Sequence, residues 1–185
     1  MRSGFATARV AVTLVLLIAC EIPAAAQTPS GRLIAAPSRD SAPDPVFFLA
    51  GGPGEAATAM APFLANGFAA LSRDRDIVLV DQRGTGESNR LHCDLGGLNE
   101  RLHAFMTLSI PEAVLRNCRI ELERRADLRF YGTSVAMDDL DEVRAALGYD
   151  RINLYGASYG TRAAFVYMRR HPERVRSVVM RAIAP

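Results

Sequence analysis

A serine stands between two glycines in the segment Gly156-Ala157-Ser158-Tyr159-Gly160. In this G-x-S-x-G pattern, a sharp turn between a strand and a helix exposes the serine hydroxyl as a nucleophile. The helix that starts behind Ser158 favours developing negative charge, and the amide of Tyr159 points at the oxyanion of an acyl-transfer intermediate. The pattern therefore predicts Ser158 as a nucleophile and the Tyr159 amide as an oxyanion donor.

A second turn, with the sequence GGPGE, ends an apolar run upstream of that serine. A glycine pair lets backbone amides face a ligand without obstruction, and a turn of this kind supplies the second oxyanion donor beside a serine elbow. Gly52 is the preferred donor and Gly51 is the alternative. Glu55 is a candidate for binding a substrate ammonium group, against the simpler interpretation of a solvated acid in a first helical turn.

A third turn, DQRGTGES, places Asp81 and Arg83 directly after another apolar run. Because both lie at a strand end beside a glycine-rich turn, we expect them to form an internal ion pair that organises the floor of the site. The turn is not a nucleotide-binding loop, since the chain contains no G-x-x-x-x-G-K-[ST] sequence.

The elements that hold these turns alternate along the chain between strand and helix signals. Apolar runs bounded by turn residues predict strands at 32–36, 46–50, 76–80, 152–155 and 175–183. Helical spacing predicts helices at 60–71, 133–147 and 159–170, and helical segments within 98–127. The alternation predicts the α/β class, with a mostly parallel sheet covered by helices on both faces. All three turns then fall at carboxyl ends of strands, where such sheets bind ligands.

The start of the chain has the features of an export signal. Arg2 and Arg9 accompany an apolar run at 10–19 that is too short to span a bilayer comfortably. An A-x-A cleavage site follows at 24–26. We therefore expect three segments: a signal peptide at 1–26, a linker with one short strand at 27–45, and the folded domain at 46–185.

An alternative processing route uses Cys20, because the residues at 17–20 resemble a bacterial lipobox in which the cysteine is lipidated. Both routes export the protein to the periplasm or beyond. Cys93 and Cys118 then remain as an even pair in an oxidising compartment. We expect a bridge between them, worth about 3 kcal/mol in the chain-entropy account, and two free buried thiols are the alternative.

The composition argues against several other functions. A formal net charge of +2 is too small to indicate a nucleic-acid partner. Every basic residue is arginine, so no lysine can act as a base or form a Schiff base. His92 beside Cys93, with His103 further along, lacks the spacing of a zinc site. We expect no metal, no cofactor and no transmembrane helix in the mature chain.

Four segments occur in order: FLAGGPGEAAT, VLVDQRGTGES, NLYGASYGTRAAF and RRHPERVRSVV. From about Pro45 to the end, the chain resembles the prolyl iminopeptidase and tripeptidyl aminopeptidase branch of the α/β-hydrolase fold. The resemblance implies a serine peptidase that releases amino acids or short peptides from free N-termini, or a relative that cleaves small esters. The roles that it implies are Ser158 as nucleophile, Tyr159 and Gly51-Gly52 around the oxyanion, and Cys93 bridged to Cys118.

The chain also departs from that family pattern. Ala50 stands where prolyl iminopeptidases usually have a histidine, and the strands before the glycine pair are shortened. In the family, an aspartate, a histidine and a helical cap that recognises the substrate amine follow the nucleophile. Since this chain stops at Pro185, we expect it to lack those groups and to show little or no turnover alone.

The histidines of this chain do not supply the base in our interpretation. His171 ends the helix after the elbow, about 18 Å from Ser158 at the helical rise per residue. His92 and His103 lie in the excursion after the DQRG turn, where the family places no base.

The helix at 133–147 has a simple sequence interpretation. Its three aspartates, Asp138, Asp139 and Asp141, are interpreted as solvated charges and capping acids. We expect Thr133 or Ser134 to cap its beginning.

Three hypotheses follow. The first is an exported serine peptidase or esterase represented by its N-terminal part. The second is a non-catalytic binding module that retains part of a hydrolase fold. The third is a fragment that does not fold stably, because an edge strand is left uncovered and apolar surface stays exposed.

Overall fold

The computed structural model describes the backbone of residues 33–36 and all atoms of residues 42–93 and 110–184. The predicted signal peptide, Cys20 and His103 lie outside the described residues. So do most of the predicted linker and the part of 98–127 that precedes residue 110.

Within the described residues, one sheet contains five strands: β1 (Leu33–Ala36), β2 (Val46–Leu49), β3 (Ile77–Val80), β4 (Ile152–Ala157) and β5 (Val175–Arg181). Their order across the sheet is β1-β3-β2-β4-β5. The four strands from β2 to β5 run parallel, and β1 pairs with β3 in the antiparallel direction. The predicted α/β class with a mostly parallel sheet is therefore confirmed.

Four α-helices accompany the strands in the described residues: α1 (Ala61–Gly67), α2 (Glu112–Glu123), α3 (Thr133–Ala146) and α4 (Tyr159–Arg170). The bounds of α4 agree with the prediction at both ends. The predicted helix at 60–71 is shorter, because 3-10 turns at Ala57–Met60 and Leu71–Arg73 flank α1.

The two faces of the sheet bury separate apolar cores, since successive side chains of a strand point to opposite faces. Phe47 and Leu49 of β2 pack with Met137 of α3 and Tyr167 of α4. Side chains on the other face, including Phe48, pack with the region of α1. Helices therefore cover both faces, as predicted.

A charged cluster lies where β2 and β4 begin, at the end of the sheet opposite the predicted site. The Asp44 carboxylate is buried, pairs with Arg75 and Arg176, and accepts a 2.8 Å hydrogen bond from the Asn153 amide. Burial by itself raises the pKa of Asp44, but the hydrogen bonds from Arg75 and Asn153 outweigh it and hold that pKa below its usual value.

The strand β5 is the last strand of the sheet, next to β4. It carries apolar residues with large exposed fractions: Val179 is 55% exposed, and Ile183 just after the strand is 62% exposed. An edge of this kind presents backbone groups and apolar side chains to the surroundings.

No helix of the described residues is long and apolar enough to cross a membrane.

Candidate active site

Ser158 joins β4 to α4 in a strained backbone conformation. Its φ is +52° and its ψ is −121°, a region that non-glycine residues enter at a cost of about 1–3 kcal/mol. Its amide donates a 3.0 Å hydrogen bond to the carbonyl of Arg181, at the end of β5. The residue is exposed, so its hydroxyl is accessible at the carboxyl edge of the sheet.

Two glycines make this turn sterically feasible. A Cβ on Gly156 would lie 2.6 Å from the carbonyl oxygen of Gly160. A Cβ on Gly160 would lie 2.1 Å from the carbonyl oxygen of Leu49. Both distances are far below a van der Waals contact, so the helix, the turn and β2 approach as closely as backbones can.

Two of the predicted oxyanion donors remain available. Within the described residues, neither the Gly52 amide nor the Tyr159 amide makes a hydrogen bond. The Gly51 amide instead donates to Glu55 Oε2 at 3.2 Å. The available amides are the groups that could stabilise an oxyanion at this edge.

Glu55 lies beside the nucleophile. A Cβ placed on Gly51 would be 3.3 Å from Glu55 Oε2 and 3.5 Å from Ser158 Cβ. The carboxylate and the serine side chain therefore share one small space. Within the described residues, the Glu55 carboxylate pairs with no cation, so its negative charge is available to a ligand.

Asp81 joins two of the three predicted turns. Its carboxylate, in a residue only 3% exposed, accepts hydrogen bonds of 2.9 Å from both the amide and the hydroxyl of Thr58. A third, weaker bond comes from the Glu87 amide at 3.3 Å. Asp81 thereby ties the segment after GGPGE to the DQRGTGES turn.

The predicted ion pair between Asp81 and Arg83 is wrong. Arg83 pairs with Asp139 on α3, with 2.6 Å between Nε and Oδ2, and donates a 2.9 Å hydrogen bond to the carbonyl of Phe130. The hydrogen bond with Asp139 raises the pKa of Arg83 further. The two side chains diverge because Asp81 is occupied by backbone and hydroxyl donors while Arg83 reaches across to α3.

The interpretation of the α3 aspartates as solvated charges and capping acids is also wrong. Asp141 accepts 2.6 Å and 2.8 Å hydrogen bonds from Arg144 and Tyr167, and its side chain is 19% exposed. Burial by itself raises the pKa of Asp141, but the hydrogen bonds from those two side chains hold it below its usual value. Burial and the bond to Asp141 together raise the pKa of Tyr167.

Asp138 pairs with Arg170 and lies 3.1 Å from His171 Nε2. The hydrogen bond from Arg170 lowers the pKa of Asp138 by more than burial raises it, so this pKa lies below its usual value. His171 therefore has a carboxylate partner at the C-terminal end of α4, far along the helix from Ser158.

The beginning of α3 differs from the prediction, because the Thr133 hydroxyl bonds to another element and does not cap the helix. Gly132 is the N-cap residue, with no side-chain cap, in place of Thr133 or Ser134. The Thr133 hydroxyl lies 2.7 Å from the Tyr159 hydroxyl instead. This hydrogen bond links α3 to the first residue of α4, and no local pattern in the sequence could indicate it.

The excursion after the DQRGTGES turn is tied back by two links. The sulfur atoms of Cys93 and Cys118 lie at disulfide distance, with their Cα atoms 5.5 Å apart, in agreement with the predicted bridge. Arg125 donates a 2.9 Å hydrogen bond to the carbonyl of His92. Both links hold α2 against the chain that follows β3.

In the described part of the chain, no histidine is hydrogen-bonded to the nucleophile. Neither His92 nor His171 makes a hydrogen bond with the Ser158 hydroxyl. In residues 42–93 and 110–184, no three metal-ligating side chains converge on one point. The site as described consists of a strained serine, free amides and a carboxylate.

A mostly parallel sheet with a serine elbow at the end of a central strand is the architecture of α/β hydrolases. The model of the alpha/beta hydrolase fold family matches residues 44–185, and the chain therefore belongs to this family.

Similar proteins include serine peptidases. The serine protease Hip1 of Mycobacterium tuberculosis H37Rv is 30% identical over 142 residues, which cover 70% of this chain and 27% of that protein. A proline iminopeptidase of Heyndrickxia coagulans is 26% identical over 135 residues, covering 73% of this chain and 33% of that protein. The chain thus spans about a third or less of the length of these relatives.

Solved structures share the fold. A proline iminopeptidase from Mycobacterium smegmatis superposes with a TM-score of 0.52 at 21% identity, over 80% of this chain and 38% of that one. A marine microorganism esterase superposes with a TM-score of 0.53 at 18% identity, over 85% of this chain and 43% of that one. At these identities the likeness concerns the fold alone.

Proposed function

We propose that Ser158 is the nucleophile of an aminopeptidase-type serine hydrolase, which releases N-terminal residues or short peptides through an acyl-enzyme. The observation that carries the proposal is the strained, exposed backbone of Ser158 between β4 and α4. Similarity to a serine protease and to proline iminopeptidases favours a peptide substrate. We also propose that the protein is exported and acts in the periplasm or outside the cell.

The proposed reaction has two halves. The Ser158 hydroxyl attacks the carbonyl carbon of the scissile bond, and its proton passes to a general base that is not among the described residues. The amides of Gly52 and Tyr159, with Gly51 as the alternative, stabilise the oxyanion, and the base returns its proton to the leaving amine as the tetrahedral intermediate collapses to the acyl-enzyme. Water then hydrolyses the acyl-enzyme and restores the serine.

Glu55 is proposed to bind the substrate ammonium group. Its carboxylate lies beside Ser158 and has no cationic partner in the described residues. When a substrate binds, its ammonium group pairs with this carboxylate. The pairing neutralises a negative charge close to the place where the oxyanion develops.

Two alternatives remain as proposals. A small-ester substrate would need the same nucleophile and oxyanion donors but no ammonium-binding carboxylate. A non-catalytic role is favoured by one observation, namely that no histidine of the described residues is hydrogen-bonded to Ser158.

Labelling with a fluorophosphonate tests the proposed nucleophile. In an envelope extract of the native source, we expect the probe on the tryptic peptide 152–162, and no probe after Ser158→Ala. We expect the purified 185-residue chain to be labelled no more than the Ser158→Ala variant, because activation of serine requires a base. An unlabelled peptide in an extract whose other serine hydrolases react would contradict the proposed nucleophile.

A charge-neutral substitution tests Glu55. In the protein as produced by its source, Glu55→Gln should raise KM about tenfold for an aminoacyl anilide with a free amine, equivalent to about 1.4 kcal/mol. The N-acetylated anilide should be unaffected, because it carries no charge to pair. Glu87→Gln, which removes the same charge from the neighbouring turn, is the matched control. Equal effects on both substrates would rule out the ammonium role.

A further inference from the structure

One buried hydroxyl lies directly behind the strained nucleophile. Thr161, on the first turn of α4, is 0% exposed. It is a polar residue on a helix face that otherwise buries Ala163, Ala164 and Tyr167. A buried hydroxyl is stable only when its hydrogen-bonding groups are satisfied.

The Thr161 hydroxyl has partners on both sides. Its Oγ1 donates a 2.7 Å hydrogen bond to the carbonyl of Ser158 and accepts a 3.0 Å hydrogen bond from the amide of Ala184. A hydroxyl has one proton to donate, and the carbonyl of Ala184 is a poorer acceptor at 3.4 Å. The short bond to Ser158 therefore takes the proton.

The last residue of β5 and the segment after it thus hold both peptide groups around the nucleophile. The carbonyl of Arg181 accepts from the amide of Ser158, while the amide of Ala184 orients the hydroxyl that binds the carbonyl of Ser158. A positive φ in a serine persists only where the surroundings fix it. These bonds supply part of that constraint from outside the elbow, and the Thr161 amide adds a 2.9 Å hydrogen bond to the same Ser158 carbonyl.

The orientation of the Ser158 carbonyl determines the orientation of the Tyr159 amide. Because a peptide group is planar and trans, the carbonyl of Ser158 and the amide of Tyr159 point in opposite directions within one rigid unit. A hydrogen bond that fixes the carbonyl therefore also fixes the direction of the Tyr159 amide. That amide makes no hydrogen bond within the described residues.

We propose that Thr161 is a positioning residue: its hydroxyl anchors the Ser158–Tyr159 peptide group to the segment 181–184, and so aims the Tyr159 amide at the space in front of the Ser158 side chain. The inference rests on the proposed role of Ser158. It adds that the oxyanion donor is oriented through a side chain in the first turn of α4, and that the chain after β5 takes part in this orientation.

The test replaces the nucleophile by a thiol, so that no catalytic base is needed. In the full 185-residue chain carrying Ser158→Cys, a thiolate at the elbow is stabilised by the helix N-terminus and the Tyr159 amide. The readouts are the pH dependence of iodoacetamide alkylation on peptide 152–162 and the melting temperature. The bridged Cys93 and Cys118 do not react, and Cys20 is followed on its own peptide.

Adding Thr161→Val keeps the side-chain shape and removes the hydroxyl. We expect the thiol pKa to rise toward its ordinary value near 8.5, and alkylation below that pH to slow about tenfold for each pH unit by which the pKa rises. Thr161→Ser should restore the parent rate within about twofold, since it keeps the hydroxyl. Ser177→Ala, which removes a 2.6 Å hydrogen bond to Asn153 elsewhere on β5, controls for lost stability alone.

A folded Thr161→Val variant that titrates and reacts like its parent would overturn the proposal. Should that variant fail to fold, Ala184→Pro removes the amide that orients the hydroxyl and leaves α4 untouched. An unchanged thiol pKa in that variant would overturn the proposal as well. The thiol titration requires no hydrolysis, so its outcome does not depend on the proposed reaction. If Thr161→Val raises the thiol pKa while the fluorophosphonate fails to label Ser158, only the proposed reaction is contradicted.

Discussion

Replacing Gly160 by alanine is expected to destabilise the folded chain strongly. The added Cβ would lie 2.1 Å from the carbonyl oxygen of Leu49 and 2.9 Å from that of Ala50. Both oxygen atoms belong to the backbone, one in the last residue of β2 and one in the residue after it, so no side-chain rotation relieves the clash. Moving α4 away from the sheet would open the core around Tyr167. We expect a loss of about 3–5 kcal/mol in the free energy of unfolding, measured by urea denaturation.

Gly67→Ala is the matched control for that substitution. Gly67 is the last residue of α1, and an added Cβ would meet no atom within 4 Å. Alanine in a helix is favoured over glycine by about 0.5–1 kcal/mol, so this variant should be as stable as the parent or slightly more stable. A Gly160→Ala chain that melts like the parent would mean that α4 does not pack against β2 as described.

The second large effect is expected at the opposite end of the sheet, where Asp44→Ala removes the centre of the charged cluster. The side chain of Asp44 is only 12% exposed, and its loss deprives Arg75, Arg176 and the Asn153 amide of the carboxylate that they share, while Arg75 and Asn153 keep the backbone carbonyl of residue 44. Removing one partner of a buried pair typically costs about 3–5 kcal/mol. Because both arginines reach solvent in part, we expect a loss near the lower end of that range, measured in urea at neutral pH.

Asp150→Ala is the control for Asp44→Ala. Asp150 also pairs with an arginine, Arg174, but its side chain is 83% exposed, so its loss should change the free energy of unfolding very little. Equal effects of the two substitutions would refute the buried cluster.

The same carboxylate predicts sensitivity to acid. The pKa of Asp44 is lower in the folded chain than in the unfolded chain, where it is near 3.9. The stabilisation is therefore fully present above that value and is lost as the pH falls through the lower, folded pKa. Urea denaturation from mildly acidic pH down through that range should show a steeper loss of stability for the parent than for Asp44→Ala.

Features that depend on local pattern could be predicted from the sequence. The apolar runs, the glycine-flanked serine and His171-Pro172 locate β4, the elbow and α4, because each signal lies within a few residues of the element that it determines. The mostly parallel sheet follows from the alternation of these elements.

Features that depend on distant partners could not be predicted. Arg83 pairs with Asp139, 56 positions away, and the Thr133 hydroxyl bonds to Tyr159, 26 positions away. Thr161 looks like an ordinary helix residue, since its hydrogen bond to Ala184 forms only when β5 lies beside β4. Local opposite charges suggested the Asp81–Arg83 pair, but the amide and hydroxyl of Thr58 occupy the carboxylate.

The bridge between Cys93 and Cys118 has a consequence for cleavage of the chain. It spans 25 positions, and β3 lies before it while α3, β4 and α4 follow it. A protease that cuts once between the two cysteines would leave the GGPGE and DQRGTGES turns covalently joined to the serine elbow. Such a nicked molecule would separate into two bands only after reduction, so the ring closed by the bridge protects the connection between the two halves of the site from a single cut.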